Sequence, residues 1–139
     1  MTSFVLDASV ALAWLLDNPV SPFAIHVQKK LDSGARGVVP ALWHLQMANG
    51  LVIATRRKDL HAEDADKGLE FIGQMLVDAI ESDADPVSVR HIFAAARLHQ
   101  LSAYDAVYLE LARRRGLPLA TLDRHLAAAA KTAGVELFQ

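Results

Sequence analysis

Three aspartates, Asp7, Asp105 and Asp123, stand where carboxylates can act together. Asp7 closes the apolar run Phe4-Val5-Leu6, and Asp123 follows Leu119-Ala120-Thr121. Both runs suit buried strands. Each acid therefore falls just past a strand's carboxyl end, where open parallel sheets place their ligands. Asp105 lies in the first turn of the helix that precedes the second of these strands. If the two strands are neighbours, all three carboxylates converge at one edge. Clustered carboxylates repel one another unless a cation joins them. An all-oxygen donor set in a chain without cysteine suits magnesium or manganese. An ion held there would activate water and stabilise the transition state of attack on a phosphodiester. Ser9 and Thr121 stand ready to hydrogen-bond these carboxylates, or to serve as ordinary turn hydroxyls.

Each acid also has a plain structural explanation. Asp7 and Asp123 can cap the helices that follow them. Ser102-Ala103-Tyr104-Asp105 is a capping box before an apolar run. Other acid-based chemistries fit less well. A phosphatase of the D-x-D type needs a second acid where the chain has Asp7-Ala8-Ser9. A phospho-receiver needs an acid pair and a strand-end lysine; no acid precedes Asp7, and Lys131 falls in a helical stretch. There is no G-x-x-x-x-G-K-[ST] loop and no G-x-G-x-x-G. Six histidines lack the H-x-x-x-H spacing of a zinc site.

The elements that must position the acids alternate between strand and helix. The first strand, within Thr2–Asp7, runs directly into a helix through Val10–Leu16, which Asp17-Asn18-Pro19 breaks. Pro22 opens a helix over Phe23–Leu31, which Ser33-Gly34 ends. Val38-Val39 is a short strand closed by Pro40. Ala41–Arg57 is a long helix with Leu42, Leu45, Val52 and Ile53 on one side. A helix follows over Ala62–Leu76, and Val77–Ile80 is either its tail or a short edge strand. Asp85-Pro86 starts a helix to Gln100, and Ser102 starts another to Arg115, stopped by Gly116. The strand at Leu119–Thr121, a helix over Arg124–Ala133 and a last strand over Val135–Phe138 complete the chain. Short strands joined through helices imply parallel pairing. The expected fold is a three-layer α/β/α sandwich with a parallel sheet of four or five strands, in one domain over residues 1–139.

Composition agrees with a packed domain: 53% of the 139 residues are apolar. No run is long enough to span a bilayer and no signal segment opens the chain, so the expected location is cytoplasmic. A formal net charge of -2 argues against a generic nucleic-acid coat, but an acidic metal site can coexist with local basic patches. The runs Arg56-Arg57-Lys58 and Arg113-Arg114-Arg115 read most simply as helix ends, where cations complement the macrodipole. Trp14 and Trp43 are expected as core or interface anchors.

Four blocks together resemble a known family: Val5–Val10, Pro40–Leu51, Leu101–Tyr108 and Leu119–Asp123. Their D-A-S, Y-D-A and T-x-D signatures, in this order, are similar to those of PIN-domain ribonucleases. The VapC-like toxins of bacterial toxin–antitoxin pairs are the nearest likeness. The resemblance implies a magnesium- or manganese-dependent endoribonuclease with a parallel sheet, a homodimer, an RNA substrate and a helical antitoxin partner. By the same likeness, Asp7, Asp105 and Asp123 correspond to its acidic site. One departure stands out: the family has an acid, most often Glu, where this chain has Gln46. Asn49, three residues on, shares its side of the helix. The two are either a satisfied core amide pair or site amides that hold water or substrate. Two functional readings follow, an active metal-dependent nuclease and a catalytically weakened domain that binds RNA or antitoxin. A third, purely structural, reads every acid as a cap.

Overall fold

The computed structural model describes residues Thr2–Gln139. Their elements are β1 (Ser3–Leu6), α1 (Ala8–Leu16), α2 (Pro22–Asp32), β2 (Arg36–Val39), α3 (Ala41–Arg56) and α4 (Ala62–Asp78). There follow β3 (Ile80–Ser82), α5 (Val89–His99), α6 (Ala103–Arg115), β4 (Leu119–Ala120) and α7 (Arg124–Thr132). The four strands pair in parallel in the order β3-β2-β1-β4, and helices cover the sheet to give the α/β/α sandwich. From β1 the chain moves outward to β2 and β3, then returns to the other side of β1 for β4. The strand order therefore reverses between β1 and β4, where a crevice opens past the strand ends. Phe4, Val5 and Leu6 are fully buried, as a strand covered on both faces requires. Phe4 stacks on Phe138 with ring centroids 4.1 Å apart.

Several boundaries differ from the sequence reading. Val77 and Asp78 finish α4 while Ile80 begins β3, so that stretch is tail and edge strand in turn. Helix α5 begins at Val89, not at Asp85-Pro86. Ser88 supplies its cap by accepting from the His91 amide, and Asp85 instead meets Arg114. The last strand reduces to a single parallel bridge, Leu119↔Leu137, because β4 has only two residues to pair with. Gly116 ends α6 as expected, at φ +64 where a side chain would be strained.

Helix α3 turns to the core a different side from the apolar one that the sequence picks out. Its core side is Trp43, Met47, Leu51 and Ala54, at helical spacing. Leu45, Val52 and Ile53 are exposed, Leu45 by 71%. Trp43 is a core anchor, fully buried. Trp14 is half-buried and donates its indole N–H to the Ala24 carbonyl at 2.7 Å.

Arg113-Arg114-Arg115 does more than complement a helix end. Arg114 reaches Asp83 and Asp85, each at 2.6 Å, and Arg115 reaches Glu81 at 2.8 Å and Asp83 at 2.9 Å. These contacts tie α6 to the chain leaving β3. Burial opposes the Asp83 charge, but the hydrogen bonds and charges of Arg114 and Arg115 outweigh it and hold the carboxyl below its usual range. A carboxyl lowered in the fold stabilises above its unfolded pKa, and that contribution is lost as pH falls through the folded value. Asp83→Ala is expected to cost about 1–2 kcal/mol near neutrality, discounted for the partly exposed arginines. Thermal melts of both proteins should converge in acid; a constant gap at every pH would mean that lost packing, not charge, carries the effect.

Candidate active site

The crevice between β1 and β4 is built by backbone pairing before any side chain enters it. The Asp7 amide donates to the Ala120 carbonyl at 3.0 Å, which sets Asp7 beside the residue that follows β4. That residue, Thr121, has left the strand, and its hydroxyl donates to Asp7 Oδ2 at 2.7 Å. Ser9, in the first turn of α1, donates to the same oxygen at 2.7 Å. Each hydroxyl also accepts from the loop after β4: Thr121 from the Asp123 amide at 3.0 Å, Ser9 from the Leu122 amide at 3.0 Å. Both hydroxyls expected beside the carboxylates are thus there, with donor and acceptor capacity in use.

Asp7 stands at the N-cap of α1, yet its side chain makes no capping hydrogen bond. The cap explanation fails for it. Among the described residues it is the one buried polar or charged side chain, at 6% exposure. Both side-chain hydrogen bonds to it fall on Oδ2, and the Ser9 backbone amide also favours its charge. Burial raises its pKa, the Ser9 and Thr121 hydroxyls offset part of this, and the Asp123 charge adds to the rise.

The other two acids keep their structural roles and also feel the first. Asp123 caps α7, its Oδ1 accepting from the His125 and Leu126 amides at 2.8 and 3.1 Å. The Asp105 amide donates to the Ser102 hydroxyl at 3.1 Å, as the capping box requires. The Asp105 carboxyl is raised, first by burial, then by the charges of Asp123 and Asp7; Ser102 and His125 partly offset this. The three carboxylates therefore share one electrostatic environment across the crevice. They do not form a closed cage: among the described residues, no group of three acid or histidine side chains is already drawn together to hold a metal. The donor set still fits magnesium, which keeps several waters and binds through one or two carboxylates.

Gln46 is brought to the same place. From α3 its Oε1 accepts from the Tyr108 hydroxyl of α6 at 2.5 Å. Burial pushes the Tyr108 hydroxyl pKa far up, and the charges of Asp7 and then Asp105 add to it, so that hydroxyl faces the acids as a neutral donor. The core-pair reading of Gln46 and Asn49 is corrected. Asn49 is exposed, and Gln46 is half-buried with a tyrosine for its partner. Sequence reasoning gave no role to Tyr108. The available signal was its spacing, three residues past Asp105 and so on a neighbouring face of one helix.

Comparison with known proteins agrees with this architecture. The PIN domain family model matches residues 4–132. No curated protein gives a significant match. Among solved structures, PAE2754 from Pyrobaculum aerophilum is similar at a TM-score of 0.70 and 23% identity, covering 92% of this chain and 84% of that one. FitAcB from Neisseria gonorrhoeae gives 0.63 and 19%, covering 98% and 96%. A domain of a functionally unknown protein from Methanocaldococcus jannaschii gives 0.56 and 17%, covering 99% and 90%. At these identities the structures speak for the fold, and the family model speaks for descent: the chain belongs to the PIN-domain family.

Proposed function

We propose that the protein is a metal-dependent endoribonuclease that cuts single-stranded or structured RNA, as the VapC-like toxin of a toxin–antitoxin pair. PIN domains are generally nucleases. The observation that carries the reading here is Asp7: the one buried polar or charged side chain among the described residues, gripped on one oxygen by two hydroxyls, with its charge opposed by burial. Such a group is costly to a fold and is a candidate for function. Asp7, Asp105 and Asp123 would hold magnesium or manganese, with Ser9 and Thr121 orienting Asp7. The ion would supply an activated water and charge stabilisation at the phosphate. Tyr108 keeps the Gln46 amide fixed beside these acids, and Asn49 stands one turn further along α3.

A second reading, a weakened domain that binds RNA or antitoxin without cutting, is favoured by Gln46 itself, which brings an amide where the family resemblance expects a carboxylate. A helical antitoxin and a homodimer are part of the first reading. Exposed apolar side chains on α4 and α5, among them Val77 and Phe93, offer surface for both. No helix among the described residues is long and apolar enough to cross a membrane.

The test is cleavage of labelled single-stranded RNA by purified protein with and without added cation. Cleavage should require the cation and run faster with manganese than with magnesium, because a site with one carboxylate fewer gains more from the more tightly held ion. Cation-dependent binding without cleavage would select the second reading. Cutting that persists in EDTA, or neither binding nor cutting, would remove the metal site.

A further inference from the structure

Beside the carboxylates, α3 and the first turn of α6 leave a shallow groove. Its floor is Leu42, Leu45 and Val52, its wall is Tyr104, and its polar groups are Gln46 and Asn49. Leu45 is 71% exposed and Tyr104 64%. Neither is needed for packing: α6 buries Ala106, Tyr108, Leu109, Leu111 and Ala112, and α3 buries its opposite side. Among the described residues, no charged side chain lines the groove.

Two features join this groove to the acids. Tyr104 immediately precedes Asp105. Gln46 is bonded to the Tyr108 hydroxyl, which senses the Asp7 and Asp105 charges. The same bond orients the amide. With Oε1 occupied by Tyr108, Gln46 presents its Nε2 donors, which have no partner among the described residues. An occupant must then be flat enough for an aromatic wall and a thin apolar floor. It must be neutral, and it must carry acceptors on its edge. A phosphate fails because no cation lines the groove. An apolar helix of another protein would cover the floor but leave the Gln46 donors unmatched. A nucleobase meets all three demands, since every base has a π-face to stack and edge acceptors to bond.

We propose that this groove is a nucleobase subsite: a base flanking the scissile phosphate stacks on Tyr104 over Leu45 and Val52, and its edge accepts from Gln46 Nε2. The subsite rests on the nuclease reading above and adds to it the part of the RNA held beside the phosphate.

The test uses the full chain, Tyr104→Ala and Tyr104→Phe, with a labelled single-stranded RNA whose cut point has been mapped. Two further RNAs replace each flanking nucleotide in turn by an abasic one. Losing one stacked base should weaken binding about tenfold or more, and the loss should fall on KM rather than kcat. Tyr104→Phe should restore affinity, since the ring and not the hydroxyl carries the contact. One of the two abasic RNAs should bind wild type as weakly as Tyr104→Ala binds the intact RNA, and should not distinguish the two proteins. If wild type cuts but Tyr104→Ala binds intact RNA unchanged, the subsite is overturned and the groove is left to a protein partner. An equal loss with both abasic RNAs also overturns it. If wild type neither binds nor cuts RNA, the nuclease reading itself falls, and the subsite with it.

Discussion

Asp7→Asn is expected to lower the rate of RNA cleavage by about a hundredfold or more, the scale of losing one well-placed electrostatic group in a transition state. The substitution keeps the shape of the side chain. One oxygen remains to accept from both Ser9 and Thr121, so the junction between β1 and β4 should survive. What disappears is the charge. Stability should move the opposite way. Burial, and then the Asp123 charge, raise the Asp7 pKa in the fold against the offset of the two hydroxyls. The folded state therefore binds this proton more tightly than the unfolded chain. Stability falls as pH rises from the ordinary carboxylate value through the raised one, and above that value ionised Asp7 weighs against the fold. In EDTA near neutrality Asp7→Asn should melt above wild type, with the gap closing below the ordinary carboxylate pKa. A variant that loses activity but also melts lower at every pH would mark Asp7 as a structural residue.

That opposition between function and stability is why the acids were legible in the sequence and the site's internal arrangement was not. Two strand-end aspartates and a capping box are local patterns, and chain order alone located them. The neighbouring of β1 and β4 is a matter of topology, and it turned Thr121 from a turn hydroxyl into a partner of Asp7 across 114 positions of chain. Local pattern misled where two faces of one helix were both apolar. On α3, Leu42, Leu45, Val52 and Ile53 stood out as the apolar side, yet the core takes Trp43 and Met47, and Leu45, Val52 and Ile53 stay exposed. Periodicity finds the stripes but cannot say which one the sheet covers. Long-range ion pairs are similarly silent in sequence. Arg114 and Arg115 answer acids about thirty positions earlier, and only the return of α6 past β3 brings them together. Asp85 read as a helix start because its partner was out of view. The last strand failed for a different reason: Val135–Phe138 has the composition of a strand, but a two-residue neighbour gives it one bridge.

Gln46→Glu carries the second large effect, and the structure gives it two parts of opposite sign. Glutamate has nearly the same shape, and Tyr108 can donate to a carboxylate oxygen as it does to Gln46 Oε1. The helix should therefore tolerate the change with little repacking. The new charge would sit beside the Tyr108 hydroxyl, which already feels the Asp7 and Asp105 charges, so the folded protein without cation should lose stability through repulsion. With cation the sign reverses, because ligand charge is a main control on affinity for hard ions. Two charges about 4 Å apart near a protein surface interact by up to about 4 kcal/mol before desolvation and screening. A net gain of about 1–2 kcal/mol remains, or roughly tenfold in manganese affinity measured by calorimetric titration. Cleavage at limiting cation should rise accordingly. The same substitution removes the Nε2 donors that the nucleobase subsite uses, so KM for RNA should rise once the cation is saturating. Tighter metal with weaker RNA is a paired signature that a merely structural glutamine would not give. Unchanged metal affinity would place Gln46 beyond the reach of the ion. Tighter metal without cleavage would favour the domain that binds and does not cut.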